Sequence, residues 1–223
     1  MRVAAVIACA MTEELEPFLA RAQHVSEVGG PASSRDHQRF YRAELAQRPV
    51  ALVLSGIGLV NAAGAATVAL AHFSTDRYLL AGTTGGLGTR VQVRDVVAGT
   101  RARYFDADAT GFGYEPGQIP QMPAEYVGLE APAFATHAGL VLSGNSFVQA
   151  DIAEQTRARF PGALAVDMET AAAAQVCYQH GVGWLSLRAV SDLCGPEAGQ
   201  EFHVGAEVAA ELSAQAVERY LAD

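Results

Sequence analysis

The apolar residues of this 223-residue chain cluster in short uninterrupted runs, and most of these runs end in glycine or polar residues. Runs at residues 3–8, 50–55 and 184–190 are typical of strands that are buried on both faces. Between them lie longer segments, such as residues 59–72 and 204–221, whose apolar residues recur at helical spacing. The repeated order of strand, loop and helix predicts an α/β fold.

The pattern predicts one domain over residues 1–223, because single α/β domains of this length are common. Its expected architecture is three layers, α/β/α, with a central mixed, mostly parallel sheet. The predicted strands span residues 3–8, 38–45, 50–55, 78–81, 95–101, 139–143, 163–166 and 184–190. One predicted helix begins at an N-cap on Thr12, and the others cover residues 59–72, 168–178 and 204–221. Residues 103–123 are rich in glycine, proline and aromatic residues, which predicts a long functional loop.

Polar residues and glycines follow the predicted strands at their carboxyl ends. They occupy residues 11–14, 55–58, 82–86, 144–147, 167–169 and 188–192. In an open α/β sheet these ends share one rim, so a single pocket can use side chains from all of them. Asp167 and Glu169 are notable, because a buried strand has no structural need for two carboxylates where it passes into an alanine-rich helix.

Charge and composition exclude several classes of partner. The formal net charge is −9 and all 15 basic residues are arginines, so the chain lacks the basic surface that nucleic acids require. No apolar stretch is long enough to span a membrane, and no signal-peptide pattern is visible, which together indicate a cytoplasmic protein. The three cysteines and six histidines lack metal-ligand spacing, so we expect neither a metal nor another cofactor.

Five segments resemble one known family. They are Met11-Thr-Glu-Glu14, Ser55-Gly-Ile-Gly58, residues 104–120, Val166-Asp-Met-Glu169 and Arg188-Ala-Val-Ser-Asp192. Together they resemble the 5′-methylthioadenosine/S-adenosylhomocysteine nucleosidases of the purine nucleoside phosphorylase-like superfamily, and the resemblance covers nearly the whole chain. It implies hydrolysis of the N-glycosidic bond of these two nucleosides to adenine and the thioribose, with 5′-deoxyadenosine as a further candidate substrate.

The resemblance implies roles for three carboxyl groups, and the chemistry of glycoside cleavage suits them. Asp192 would be the general acid that protonates N7 of adenine, which requires burial to raise its pKa. Glu169 would accept hydrogen bonds from the ribose hydroxyls, and Glu14 would activate the attacking water. Each residue also has a simpler interpretation: Asp192 can cap a turn, and either glutamate can be an ordinary first-turn residue of a helix.

Two positions depart from the family pattern. Asp167 stands where the nucleosidases usually have Glu, and Thr83 stands where they usually have Ser. Asp167 can either belong to the site or cap the following helix, and the sequence leaves both interpretations open. Thr83 keeps the hydroxyl but adds a methyl group, and with Arg188 it would help to place the water.

The resemblance also implies an apolar slot for the adenine and the 5′-thioalkyl group. Phe147 would stack on the base, the backbone of Val148 would bind its edge, and Met168 would pack against the sugar. The rest of the pocket would be lined by Met11, Ile57, Ser191 and Phe202.

The resemblance further implies a homodimer, in which Phe112 and Pro120 would reach the site of the neighbouring subunit. Large apolar residues are often core residues instead, and that alternative stays open for these side chains.

Three other functions compete with hydrolysis of these nucleosides. A purine nucleoside phosphorylase would use phosphate as the nucleophile, with residues 82–86 as a glycine-rich anion site. Glu14 argues against phosphate, because a nearby carboxylate repels a dianion. A hydrolase of another 5′-modified nucleoside and a nucleoside-binding protein without catalysis are the remaining alternatives. A pure binder has little reason to bury Glu14, Glu169 and Arg188 together, because desolvating charges is costly.

Overall fold

The computed structural model describes residues 1–28 and 37–223. The strands are β1 Ala5–Cys9, β2 Gln23–Val28, β3 Arg39–Leu45, β4 Arg48–Leu54, β5 Arg77–Gly86, β6 Val96–Tyr104, β7 Tyr126–Val127, β8 His137–Ser143, β9 Ala165–Asp167 and β10 Gly183–Asp192. The helices are α1 Thr12–Arg21, α2 Leu59–His72, α3 Ala150–Arg159, α4 Thr170–His180 and α5 Ala198–Ala222, with a 3₁₀ turn at Thr110–Phe112. No helix within these residues is both long enough and apolar enough to cross a membrane.

The strands form one mixed sheet in the order β10-β6-β8-β9-β5-β1-β4-β3-β2. Strand β10 also pairs with β5, so that β5, β9, β8, β6 and β10 close into a ring while β1 to β4 extend from it as an open wing. The pairs of β1 with β4 and β5, and of β5 with β10, are parallel, so the carboxyl ends of β1, β5 and β10 lie at the same edge. This edge carries the candidate site.

Helices cover both faces of the sheet and confirm the predicted layered α/β fold. Alanines of α2 and α4, such as Ala66 and Ala173, are buried in one apolar cluster. Leu15 and Phe18 of α1 join Val217 of α5 in a second cluster. The small side chains let α2 and α4 lie close together, while α1 and α5 bury larger residues.

Several predicted boundaries were wrong. Helix α3 and strands β2 and β7 were not predicted, because α3 has a weak apolar pattern and β2 is a mostly exposed edge strand. Thr12 is the first helical residue of α1 and not its N-cap, a position taken by the extended residue Met11. Helix α5 begins at Ala198, ahead of the predicted start at residue 204. Strand β5 continues through residues 82–86, beyond the predicted end of the strand at residue 81, because β10 and β9 pair with it there.

Candidate active site

A cavity of about 370 Å³ opens at the carboxyl ends of β1, β5, β9 and β10. It brings together most of the predicted site residues: Met11, Glu14, Ile57, Thr83, Phe147, Val148, Asp167, Met168, Glu169, Arg188, Ser191, Asp192 and Phe202. Phe112 and Pro120 are not among its lining residues, and the Phe112 side chain is 88% exposed. The rim expected from the strand ends is therefore one continuous pocket.

The Glu14 carboxylate is buried and accepts four hydrogen bonds. The Ala10 and Met11 N–H groups donate to Oε2 at 2.9 and 3.2 Å, because α1 begins directly after β1 and turns the side chain back over the strand end. The Thr83 N–H and hydroxyl donate to Oε1 at 2.8 and 2.9 Å. The alternative of a solvated first-turn glutamate is wrong for Glu14, since its side chain is fixed inside the cavity.

Arg188 lies buried among the carboxylates of the site. Its Nη1 donates to the Thr83 carbonyl at 2.8 Å, and its Nη2 donates to Glu169 Oε2 at 3.1 Å. Its Nε stands 3.4 Å from Asp167 Oδ2, which is close enough for an ion pair but is not aligned as a hydrogen bond. Burial alone would lower the pKa of Arg188, but the Asp167, Glu169 and Glu14 carboxylates outweigh it and raise the pKa.

Glu169 connects the β9–α4 junction to the start of α2. Its Oε1 accepts a hydrogen bond from the Gly58 N–H at 2.9 Å, and its Oε2 is the partner of Arg188. Gly58 has a φ of +99°, a conformation that favours glycine, and this turns its N–H toward the carboxylate. Burial raises the pKa of Glu169 to about 7 even though Arg188 acts in the opposite direction.

Asp167 lines the cavity and also accepts hydrogen bonds at the start of α4. Its Oδ1 accepts hydrogen bonds from the Ser143 hydroxyl at 2.6 Å and from the Thr170 N–H at 2.9 Å, so it caps α4. Its Oδ2 accepts from the Thr170 hydroxyl and faces Arg188. Protein groups thus surround both oxygens, and contact of Asp167 with a substrate stays a prediction.

Asp192 ends β10, where the register against β5 shifts after Val190. Such an irregularity redirects side chains at a strand end. The Ser191 hydroxyl donates to Asp192 Oδ2 at 2.9 Å, and the Cys194 N–H donates to Oδ1 at 3.0 Å. Burial raises the pKa of Asp192, as the general-acid hypothesis required, although hydrogen bonds from Cys194 and Ser191 oppose the change.

Aromatic and apolar side chains form the outer part of the cavity. The Phe147 and Phe202 rings meet edge to face with centroids 6.1 Å apart. Phe147 is 44% exposed, whereas Val148 is buried, so the ring has a free surface at the cavity. The core-packing alternative is therefore wrong for Phe147, and Ile57 is similarly exposed.

The cavity also contains residues that the sequence did not single out as individual site residues. They are Ala10, Thr84, Gly85, Ser146, Val166, Cys194, Gly199 and His203. Cys194 was predicted only as one of three unpaired cysteines, and burial raises the pKa of its thiol to about 12. It is thus a neutral thiol at physiological pH. His203 follows Phe202 directly and gave no signal of its own, because a single histidine has no diagnostic spacing.

A metal centre has no support in residues 1–28 and 37–223, where no group of three or more His, Cys, Asp and Glu side chains could hold an ion. The carboxylates of the cavity instead surround the Arg188 guanidinium. The arrangement offers a buried acid, a carboxylate with fixed donors and a cation between carboxylates. The acid and the carboxylate are the pair that acid–base cleavage of a glycosidic bond requires.

Comparison with known proteins identifies the family. Residues 4–222 match the family model described as the phosphorylase superfamily. The 5′-methylthioadenosine/S-adenosylhomocysteine nucleosidase of Staphylococcus aureus is 38% identical over 94% of this chain and 95% of its own. The Neisseria meningitidis nucleosidase, solved in complex with methylthio-immucillin-A, is 34% identical and superposes with a TM-score of 0.91 over 98% of both chains.

A third nucleosidase structure, from Colwellia psychrerythraea in complex with adenine, is 29% identical with a TM-score of 0.90 over 99% of this chain and 95% of that one. These similarities extend over the complete fold and include every element that borders the cavity. The chain belongs to the phosphorylase superfamily and, within it, to the 5′-methylthioadenosine/S-adenosylhomocysteine nucleosidases.

Proposed function

We propose that this protein hydrolyses the N-glycosidic bond of 5′-methylthioadenosine and S-adenosylhomocysteine, with release of adenine and the corresponding thioribose. The observation that carries the proposal is the composition of one cavity. Glu14 and Glu169 lie beside Arg188, and Asp192, whose pKa is raised, ends the strand β10 that also carries Arg188. The names of the relatives, and the adenine or methylthio-immucillin-A in their structures, support the same substrate class.

Bond cleavage begins at the base in this proposal. The protonated Asp192 transfers its proton to N7 of adenine while the bond between C1′ and N9 breaks, and the bonding electrons leave with the purine. Positive charge develops on the ribose, and the Glu169 carboxylate accepts hydrogen bonds from the 2′ and 3′ hydroxyls. Arg188 holds Glu169 in place through the 3.1 Å contact.

Water completes the reaction from the opposite face of the sugar. Glu14 accepts a proton from the water as the water oxygen bonds to C1′. The four donors on Glu14 fix the carboxylate, and Thr83 connects it to Arg188 because its carbonyl accepts from the guanidinium. The protons balance, since Asp192 has lost one and Glu14 has gained one at the end of the turnover.

The hydrogen bonds of the site favour water over phosphate as the nucleophile. The Gly82 N–H is bonded to Ser213 and the Thr83 N–H to Glu14, so these two amides of the glycine-rich segment are not available to an anion. Arg188 is already surrounded by carboxylates. A phosphate dianion next to Glu14 would be repelled at low effective dielectric.

The rest of the substrate fits the outer part of the cavity. Phe147 stacks on adenine, the backbone of Val148 binds the purine edge, and Met168 packs against the ribose in this proposal. Phe202 covers the 5′ substituent, and Met11 and Ile57 complete an apolar slot that suits a thioalkyl group. A different 5′-modified nucleoside would have to fill the same slot.

The family implies a homodimer in which Phe112 and Pro120 complete the neighbouring site. The 88% exposure of the Phe112 side chain supports this proposal, because an aromatic ring so exposed in one subunit has much to gain from burial. A cytoplasmic location stays a prediction from the sequence.

The deciding experiment measures adenine release from 5′-methylthioadenosine with and without phosphate, and identifies the sugar product. We expect free methylthioribose at equal rates in both buffers. A sugar 1-phosphate that forms only with phosphate would make the protein a phosphorylase. Binding of 5′-methylthioadenosine without any release of adenine would favour a nucleoside-binding protein, and S-adenosylhomocysteine and 5′-deoxyadenosine serve as comparison substrates.

A further inference from the structure

Ser213 is a buried residue of α5 that contacts the two strands behind the site. Its side chain is 0% exposed. Its hydroxyl accepts a hydrogen bond from the Gly82 N–H at 2.8 Å and donates one to the Leu187 carbonyl at 2.6 Å. One side chain thus bridges the backbones of β5 and β10.

The two bridged residues directly precede two residues of the site. Gly82 precedes Thr83 in β5, and Leu187 precedes Arg188 in β10. Gly82 lies opposite Arg188 in the register of the two strands, but its φ of +124° departs from regular strand geometry. The Ser213 hydroxyl accepts the N–H of this irregular residue, so a buried donor is satisfied.

The irregular conformation of Gly82 determines where Thr83 points. The peptide plane between these residues carries the Thr83 N–H, which donates to Glu14 Oε1 at 2.8 Å. The carbonyl of Thr83 accepts from Arg188 Nη1 at 2.8 Å. A change at Gly82 therefore alters both the hydrogen bond from the Thr83 N–H to Glu14 and the hydrogen bond from Arg188 to the Thr83 carbonyl.

We propose that Ser213 is a positioning residue for water activation. Its hydroxyl holds the bend at Gly82 that directs the Thr83 N–H at Glu14, and it keeps β5 and β10 at the spacing that lets Thr83 meet Arg188. Ser213 does not line the cavity, so it acts only through these residues. The inference rests on the proposed function, because Glu14 is there the group that accepts the proton of water.

The test is Ser213→Ala, which leaves the Gly82 N–H and the Leu187 carbonyl without the hydroxyl. We expect kcat for 5′-methylthioadenosine to fall about 10-fold per active site, with KM within about 3-fold, because the displaced groups act on the nucleophile more than on substrate binding. Active sites are counted by titration with methylthio-immucillin-A. Unfolded molecules are then excluded from the rate, so a general loss of stability cannot produce the result.

Two further variants sharpen the test. Ser213→Cys keeps a weaker donor and acceptor of similar size, and we expect its kcat to lie between Ser213→Ala and the wild type. Thr156→Ala is the matched control, because Thr156 is a buried helical residue whose hydroxyl bonds to Ile152 within its own helix. Its kcat per site should equal that of the wild type.

Equal kcat values per site for Ser213→Ala and the wild type would overturn the positioning role while leaving the proposed function intact. So would a loss that Thr156→Ala shares. A wild-type protein that releases no adenine would overturn the proposed function itself, and the inference with it.

Discussion

The carboxyl group of Glu14 packs directly against the Cα of Gly82. A Cβ atom at position 82 would stand 2.3 Å from Glu14 Cδ and 2.4 Å from its Oε1, and real Cβ atoms do not approach other atoms so closely. The absent side chain of Gly82 is therefore the space that the carboxylate occupies. Glycine is also favoured there by the φ of +124°.

We expect Gly82→Ala to reduce kcat for 5′-methylthioadenosine by about 100-fold or more, because the new methyl group displaces Glu14 from the position in which we propose that it activates the water. Steady-state kinetics measures this, and a crystal structure of the variant should show Glu14 moved from Thr83. Gly64→Ala is the control, since the nearest atom to its added Cβ is Gln38 Nε2 at an ordinary 3.6 Å. Activity that survives Gly82→Ala unchanged would remove Glu14 from the mechanism.

The Thr83 hydroxyl provides a second test of the hydrogen bonds that hold the Glu14 carboxylate in place. It donates to Oε1 at 2.9 Å, alongside the N–H of the same residue. Thr83→Val keeps the shape but loses this bond to a charged group, which is worth about 1.5–3 kcal/mol, so kcat should fall about 10-fold to 100-fold. Thr83→Ser keeps the hydroxyl and should retain wild-type kcat within about 3-fold. A Val variant as active as the Ser variant would show that the hydroxyl has no role.

Glu169 should make the stability of the protein depend on pH. Burial raises its pKa from 4.5 to about 7, so between these values the folded protein holds a proton that the unfolded chain has released. The stability associated with that proton is complete below pH 4.5 and is lost as the pH rises toward about 7. We expect Glu169→Gln to lose this component.

Urea unfolding of the wild type and of Glu169→Gln at several pH values measures this component as a difference. The wild type should lose stability relative to the variant over the interval from 4.5 to about 7. Carboxylates distant from Glu169 contribute equally to both proteins and cancel in the comparison, so the remaining difference belongs to Glu169 together with Asp167 and Glu14, which share its electrostatic network. A difference that does not change with pH would show that Glu169 is ionised throughout.

Asp192 should determine how activity falls at high pH. A general acid must be protonated, and since burial raises the pKa of Asp192, the protonated form extends to higher pH than for an exposed aspartate. The Glu201 carboxylate adds to this rise in pKa. We expect Glu201→Gln to move the alkaline limb of the pH profile of kcat to lower pH, and Asp192→Asn to abolish activity.

Glu201→Gln keeps an oxygen that can accept from the Leu193 N–H, the contact that Glu201 makes at 3.3 Å. The variant therefore changes the charge and preserves the local hydrogen bond. An alkaline limb at the same pH in the variant and the wild type would show that the exposed Glu201 carboxylate does not influence the group that limits activity at high pH.

The sequence predicted which segments meet at the cavity better than it predicted the helices around it. At Asp167-Met-Glu169, for example, two carboxylates directly follow the apolar residues of a strand. This change from apolar to charged residues can be recognised in the sequence without knowledge of the fold. Helix α3 escaped prediction because its residues are mostly exposed and only Ala153 and Thr156 are buried. It nevertheless matters to the site, since Arg157 donates to the Leu193 carbonyl at 2.9 Å, one residue beyond Asp192.

Contacts between distant segments could not be derived from local patterns. Ser213 lies 131 positions from Gly82, and a serine in an apolar helical stretch has no sequence signature that names its partner. The two roles of Asp167 illustrate the same limit. Capping of Thr170 is a local feature, whereas the ion pair with Arg188 depends on how β9 and β10 are placed in the ring of strands.

The final prediction concerns the residues that lie outside the cavity of their own subunit. If Phe112 completes the site of the neighbouring subunit, Phe112→Ala damages the partner's site and leaves its own groups intact. Asp192→Asn damages only its own site. A hybrid dimer of one Phe112→Ala subunit and one Asp192→Asn subunit then contains one complete site, with Asp192 from the first chain and Phe112 from the second.

Differently tagged subunits, mixed and purified as hybrids, measure this directly. We expect the hybrid to have about half of the wild-type activity, since one of the two sites in a twofold dimer is complete, while both parent homodimers are weakly active or inactive. A hybrid of Pro120→Ala with Asp192→Asn tests the second residue in the same way. Activity equal to the mean of the two parents would show instead that Phe112 serves its own subunit, in which case the hybrid contains no complete site, or that it serves no site, in which case the Phe112→Ala homodimer is itself fully active. A protein that stays monomeric in analytical ultracentrifugation would contradict the dimer itself.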